Sequence, residues 1–78
     1  MLHRQKRKQL PILVQRDEDG CYIVECPVFE GCYAQGETLE EAMKNIREVI
    51  DLVLEEEKSQ RVLREYGPFE LSLQTIMI

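Results

Sequence analysis

The chain has 78 residues and a formal net charge of -5, and 44% of its residues are hydrophobic while 32% are charged. This length has room for one domain, which buries only roughly 60% of the unfolded chain's surface, so we expect a homodimer or higher oligomer to supplement a thin core. No segment approaches the ~20 consecutive apolar residues of a membrane span, and no apolar stretch follows the basic N-terminus as in a signal peptide. The composition therefore predicts a cytoplasmic protein without a membrane segment.

Charge is distributed unevenly along the chain. Residues 1–16 hold five Lys or Arg and no acidic residue, whereas residues 17–78 hold fifteen acidic residues and five basic ones. An acidic body repels nucleic acid phosphates and attracts basic proteins, because long-range steering follows the summed charge. The charge pattern therefore favours a basic protein as the partner.

The first nine residues predict a mobile basic arm ahead of a single domain at residues 10–78. They show no apolar periodicity, which is typical of a solvated tail. Such an arm could also hold RNA, so the sequence leaves open an alternative function as a small RNA-binding dimer. The residues that would bind RNA in that case are Arg4, Lys6, Arg7 and Lys8.

Three short antiparallel strands are predicted next. Leu10 to Arg16 is apolar and β-branched, Asp17-Glu18-Asp19-Gly20 has turn chemistry, and Cys21 to Cys26 alternates as the returning strand. Pro27 has no N–H for the ladder and ends that strand. After a loop through residues 28–31, a third strand covers Cys32 to Gln35.

An amphipathic helix is predicted from Thr38. Thr38 followed by Glu41 is a capping box, in which each side chain accepts a hydrogen bond from a backbone N–H at the start of the helix. The apolar residues that follow recur at helical spacing and form one stripe, which we expect to face the sheet. They are Leu39, Ala42, Met43, Ile46, Val49, Ile50, Val53 and Leu54.

The end of the chain predicts one more strand. The apolar stripe fails after Leu54, so the helix either ends near Lys58 or restarts there, and Gly67-Pro68 terminates any helix. Phe69 to Ile78 alternates with period 2, as in a half-buried strand. Because its far end is apolar on both faces, we expect a second subunit or a partner to cover it. The fold class is therefore α+β, with a three-stranded antiparallel sheet, a packed helix and a further C-terminal strand.

No catalytic, cofactor or metal site is predicted, and we expect no enzyme activity. Cys21, Cys26 and Cys32 follow C-x4-C-x5-C spacing, unlike a zinc motif, and alternation puts the first two on opposite faces of a strand. The only histidine, His3, lies in the arm, so no nucleophile in the body can be paired with an activating base. A calcium loop that begins at Asp17 requires a glutamate at its twelfth position, which is Val28 in this chain. Packing explains the cysteines.

Residues 17 to about 54 resemble the N-terminal domain of HicB-type antitoxins. The resemblance rests on Gly20 after the acidic turn, the P-x-x-x-G-C loop at 27–32, the A-Q-G step at 34–36 and the T-x-E-E-A helix start at 38–42. It implies a β-β-β-α-β fold similar to a truncated ribonuclease H that lacks the nuclease carboxylates. It also implies that the protein neutralises a HicA-type toxin, a small basic protein that cleaves messenger RNA using a histidine.

The chain departs from the usual pattern of such antitoxins at one point. They commonly carry a C-terminal DNA-binding module, and Ile78 leaves no room for one, so we expect no direct DNA binding. A solitary family member without a toxin is a further alternative.

Two sets of residues follow from this interpretation. The residues expected to face the partner are acidic: Asp17, Glu18, Asp19, Glu25 and Glu30. The residues expected to maintain the fold supply turns, strand ends and helix capping: Gly20, Pro27, Gly31, Gly36, Thr38, Glu41 and Ala42.

Overall fold

The computed structural model describes residues 9–66 and 72–78. These contain three strands and two helices: β1 (Leu13–Arg16), β2 (Tyr22–Glu25), β3 (Tyr33–Gly36), α1 (Leu39–Val53) and α2 (Glu57–Glu65). The strands form one antiparallel sheet in the order β1-β2-β3. The predicted α+β class and three-stranded antiparallel sheet are confirmed, whereas the likeness to ribonuclease H stays a prediction.

The predicted turn between β1 and β2 is present and is stabilised by its own side chains. Asp17 Oδ1 accepts hydrogen bonds from the backbone N–H groups of Asp19 and Cys21, each with a donor–acceptor distance of 2.9 Å. Gly20 has a φ of 87°, and its N–H donates a hydrogen bond of 3.0 Å to the carbonyl oxygen of Asp17. A three-residue hairpin loop that ends in a left-handed glycine fits the right-handed twist of the two strands. Arg16 contributes as well, because its Nε donates to Gly20 O over 3.3 Å.

Strand β1 is shorter than predicted. It begins at Leu13, which lies opposite Glu25, the last residue of β2. Residues 10–12 extend beyond the end of β2 and therefore have no partner to bond with in the ladder. Pro11 could not donate in any case.

Helix α1 begins at the predicted cap. Thr38 Oγ1 accepts a hydrogen bond of 3.0 Å from the backbone N–H of Glu41. Glu41 Oε1 accepts a hydrogen bond of 2.7 Å from the backbone N–H of Glu37, one residue before the cap. Gly36 is buried just ahead of this cap, and the start of α1 passes directly over it. Capping and a close backbone approach therefore fix where the helix leaves the sheet.

The core lies between α1 and one face of the sheet. The helix packs mainly on β3 and secondarily on β2, and most of β1 lies outside its cover. The buried side chains form one cluster: Val24, Cys26, Phe29, Cys32, Ala42 and Ile46. Val24 of β2 and Cys26, the residue after β2, both lie in this cluster, in agreement with the predicted alternation.

The helical pattern past Leu54 is resolved as two helices. Helix α1 ends at Val53, and α2 begins at Glu57 after a short turn. Gln60 Nε2 donates a hydrogen bond of 2.7 Å to the carbonyl oxygen of Leu54. This bond satisfies one of the carbonyl groups at the end of α1 that have no partner within the helix. Leu63 packs against the core cluster, while Val62 is exposed.

The predicted C-terminal strand is wrong for residues 72–78. These residues form no strand and are exposed, and residues 69–71 lie outside the described part of the chain. Alternation records which side chains would share a face, but a strand also needs a hydrogen-bonding neighbour. Within the described part of this chain, residues 72–78 have no such neighbour.

Candidate partner-binding surface

Among residues 9–66 and 72–78, no helix or strand covers the face of the sheet that points away from α1, and we call it the outer face. Val24 is fully buried on the helix side of the sheet. Because successive side chains of a strand point to opposite faces, the residues on either side of Val24 in β2, and those paired with them in β1 and β3, belong to the outer face. Six residues form it in two rows across the strands: Leu13, Glu25 and Tyr33 in one row, and Gln15, Ile23 and Gln35 in the other.

The first row combines apolar surface with a single negative charge. Glu25 lies directly opposite Leu13 on β1 and directly opposite Tyr33 on β3. Leu13 is 50% exposed and Tyr33 is 65% exposed, and the Glu25 side chain is exposed between them. A cationic side chain placed here would meet a carboxylate and an aromatic ring together, and arginine suits both.

The acidic residues predicted to face a partner lie at two ends of the sheet rather than in one cluster. Glu25 ends β2 and Glu30 lies in the loop that follows it, while residues 17–19 form the turn at the other end. Asp17 is bonded to the turn backbone through Oδ1, so its first role is architectural. Only Glu25 stands on the outer face itself.

Comparison with known proteins identifies the family. The sequence profile of the HicB-like antitoxin of bacterial toxin-antitoxin systems matches residues 10–70. The chain belongs to this family. The match covers the sheet and both helices, so the outer face is a surface of the HicB-like domain itself.

Several relatives of this HicB-like chain carry the designation UPF0150. One from Synechocystis sp. is 56% identical over 50 residues, which are 64% of this chain and 72% of that protein. One from Archaeoglobus fulgidus is 42% identical over 48 residues, or 62% of this chain and 70% of the relative. A second Synechocystis protein is 31% identical over 72 residues, or 92% of this chain and 97% of its own. No solved structure matches significantly.

The buried cysteines of this HicB-like domain belong to its core. Cys26 and Cys32 are fully buried, and Cys26 N–H donates to Cys32 O over 2.9 Å. Burial raises the pKa of both thiols above the ordinary value, so both stay protonated and unreactive near neutral pH. All three cysteines are free.

Two further features are absent from the described residues. Residues 9–66 and 72–78 contain no group of three or more His, Cys, Asp or Glu side chains arranged to hold a metal ion. No helix within those ranges has the length and apolarity to cross a membrane. The basic residues considered for RNA binding, Arg4, Lys6, Arg7 and Lys8, lie outside the described residues.

The sequence interpretation missed the two apolar residues that flank Glu25. Leu13 and Tyr33 become neighbours of Glu25 only through the strand register, which pairs residues 12 and 8 positions from it in the chain. A signal was available in part, because tyrosine is enriched in protein interfaces relative to the rest of the protein surface. Placing Tyr33 beside Glu25 required knowing that β3 begins at Tyr33.

Proposed function

We propose that this HicB-like protein is an antitoxin that neutralises a basic, HicA-type mRNA-cleaving toxin by binding it on the outer face of the sheet. One observation carries the proposal: Glu25 is exposed in register between Leu13 and Tyr33 on a face that no element of the described chain covers. Family membership supports the antitoxin role. The toxin class comes from the resemblance of the chain to HicB-type antitoxins.

The chemistry of the outer face fits a basic partner. A basic toxin that binds RNA has cationic side chains where phosphates would lie, and a carboxylate can pair with the same side chains. Leu13 and Tyr33 would exclude water around that ion pair, as apolar residues around an interface hot spot do. Occupying the cationic surface in this way would block RNA from the toxin.

The remaining acidic residues act at longer range. Glu18 and Asp19 are exposed at the turn, and Glu30 is exposed in the loop that follows β2. Charges at this distance raise the association rate with a basic partner, and added salt screens them. We therefore expect the association rate to fall steeply as ionic strength rises. The dissociation rate should depend mainly on the contacts that Leu13, Glu25 and Tyr33 make with the partner.

Co-expression in bacteria tests the proposal. The probe is the product of the reading frame next to the gene for this chain, which the proposal expects to be a small basic protein, expressed alone and with the chain. The proposal expects that protein to stop growth, the chain to restore growth, and the two to copurify. Absence of toxicity, of rescue or of a complex would each contradict it.

A matched pair of substitutions locates the surface in the same assay. Leu13→Ala removes an apolar side chain from the outer face, and Leu52→Ala makes the same change at a 64% exposed position of α1, on the other layer. We expect Leu13→Ala to weaken rescue and copurification and Leu52→Ala to leave both unchanged. Equal effects of the two substitutions would overturn the assignment of the outer face.

A further inference from the structure

A groove lies on the helix side of the sheet, between the segment before β1, α1 and α2, and we call it the helix-side groove. It has a volume of about 800 Å³, within the range of roughly 300–1,000 Å³ that is typical of small-molecule sites. Its apolar lining comes from Leu10, Ile12, Met43, Ile50, Leu54 and Leu63. The size and the lining are therefore those of a site for a small apolar or amphipathic molecule.

The charged residues that line this groove are mainly basic. Lys44, Arg47 and Arg64 line it, together with one acidic residue, Asp51. Residues 17–78 hold only five basic residues beside fifteen acidic ones, so three of the five basic side chains of the body lie at this groove. All three are exposed, which puts their charged groups at the mouth of the groove. The mouth is therefore basic on a body that is otherwise strongly acidic.

Helix α1 places basic groups directly beside the apolar lining. Met43 and Ile50 lie two turns apart on the groove side of α1, and Lys44 and Arg47 lie next to them, one turn apart. Within the described residues, neither of these two basic side chains makes an ion pair or a side-chain hydrogen bond. Both charges are therefore available to an anionic ligand.

The basic mouth makes the helix-side groove unsuitable for the partners considered for other parts of the chain. A basic toxin would bring charges of the same sign to it, and so would the basic residues at positions 4–8 of the chain itself. Nucleic acid would neutralise the basic groups but has no alkyl surface to fill the apolar lining. A molecule that ends in a carboxylate and carries an apolar chain satisfies both parts of the groove.

We propose that the helix-side groove binds a long-chain alkyl carboxylate, the chemical class of the fatty acids, with its chain along α1 and its carboxylate at Lys44 and Arg47. From Met43 to Leu54, at the cap of α1, the helix rises about 16 Å, the length scale of an extended dodecyl chain. The bound chain buries apolar surface of α1, α2 and the segment before β1 together, so it holds these three elements in contact. The groove and the outer face lie on opposite sides of the sheet, so the proposal is independent of toxin binding.

Isothermal titration calorimetry of the full chain with dodecanoate, below its micellar concentration, tests the proposal. We expect a single site with a Kd of about 100 µM or lower, the affinity scale of one acyl chain for an apolar phase. Dodecyltrimethylammonium has the same chain and a cationic head group, and we expect it to bind at least about tenfold more weakly. Non-specific attraction to a chain with a net charge of -5 would favour the cation instead, so a preference for the anion identifies the basic mouth.

Two double variants locate the head group. Lys44→Gln with Arg47→Gln removes two positive charges from the groove, and Lys58→Gln with Arg61→Gln removes the same charges from positions of α2 that do not line it. We expect the first double variant to raise the Kd for dodecanoate about tenfold or more and the second to leave it within about twofold of the wild type.

A second matched pair of variants locates the alkyl chain. Met43→Gln keeps a side chain of similar size but makes the wall of the groove polar, and Leu52→Gln introduces the same group at a 64% exposed position of α1 outside the groove. We expect Met43→Gln to weaken dodecanoate binding and Leu52→Gln to leave it unchanged. Shortening the ligand to decanoate should raise Kd about fourfold for each methylene group that the groove no longer buries.

Thermal unfolding separates binding in the groove from surfactant action. A ligand of the folded state raises the unfolding midpoint, so dodecanoate should raise it at concentrations near Kd. Absence of binding, equal binding of the two head groups, equal effects of the matched variants, or a lowered midpoint would overturn the proposal. So would binding that appears only after residues 72–78 are removed, because the groove would then be filled by the chain's own end.

Discussion

Gly36 lies so close to helix α1 that a Cβ atom built on it would be 2.5 Å from the backbone nitrogen of Ala42. Gly36 ends β3, and the fully buried Ala42 lies in the first turns of α1, so this contact sets how closely the helix packs on the sheet. Backbone atoms cannot rotate away as a flexible side chain can. The glycine is therefore required by space rather than by its φ angle.

Substituting Gly36 tests this contact. We expect Gly36→Ala to lower the free energy of unfolding by about 1–3 kcal/mol, the range for forcing an extra methyl group into a packed site. Urea denaturation followed by circular dichroism measures it.

Gly31 supplies the matched control for Gly36. Its φ is +71°, and nothing lies within 4 Å of a Cβ built there. Asparagine tolerates the left-handed region, so Gly31→Asn should be milder than Gly31→Ala. At Gly36 the order reverses, because the larger side chain meets the helix backbone. A Gly36→Ala protein as stable as the wild type would show that α1 does not approach β3 this closely.

Removing the hydroxyl of Thr38 should weaken the start of α1. Thr38 Oγ1 accepts from the N–H of Glu41, and Thr38→Ala leaves that donor without its side-chain partner. We expect a loss of about 1 kcal/mol in the free energy of unfolding, whereas Thr38→Ser, which keeps the hydroxyl, should stay close to the wild type. The same urea titration distinguishes the two, and equal losses for both variants would contradict the cap.

Alkaline pH should destabilise the fold through Cys26 and Cys32. Burial raises the pKa of both thiols above the ordinary value of 9.0, so the folded state holds these protons more tightly than the unfolded state does. Their contribution is complete below about pH 9 and is lost as pH rises through the raised pKa values. We expect the free energy of unfolding to fall above pH 9, measured by urea denaturation between pH 8 and 10.5.

Variants at the cysteines isolate that effect from other groups that titrate in the same range. A Cys26→Ala, Cys32→Ala double variant should be less stable overall but should lose less stability between pH 8 and 10.5 than the wild type does. Cys21→Ala, at a half-buried position, provides the control for a single cysteine substitution. An identical alkaline slope in the wild type and the double variant would rule out the buried thiols as its source.

Local signals in the sequence located much of the fold. Thr38 and Glu41 marked the helix start, Gly20 marked the hairpin turn, and Pro27 marked the end of β2, because each depends on the geometry of a few neighbouring residues. Glu25 is one of the five acidic residues that the sequence predicts to face a partner; its side chain is exposed on the outer face, and the contact with a partner stays a prediction.

What the sequence did not reveal depends on pairing between distant residues. Leu13 and Tyr33 join Glu25 in one row only once the register of both strand pairs is known. Residues 72–78 alternate with period 2, but a strand forms only beside a second strand, and the described chain places none there. Register and strand partners are long-range properties, which periodicity in one segment does not determine.

The affinity of the charge-reversed Glu25 variant for the toxin tests the central claim most directly. The proposal expects the toxin to be the product of the reading frame next to the gene for this chain. Isothermal titration calorimetry with that product compares Glu25→Lys with Glu48→Lys, which makes the same change on the exposed side of α1. Because both variants have the same net charge, only position distinguishes them. We predict that Glu25→Lys raises Kd by about 30-fold or more while Glu48→Lys stays within about threefold of the wild type. Equal Kd values for the two variants would contradict binding at the outer face.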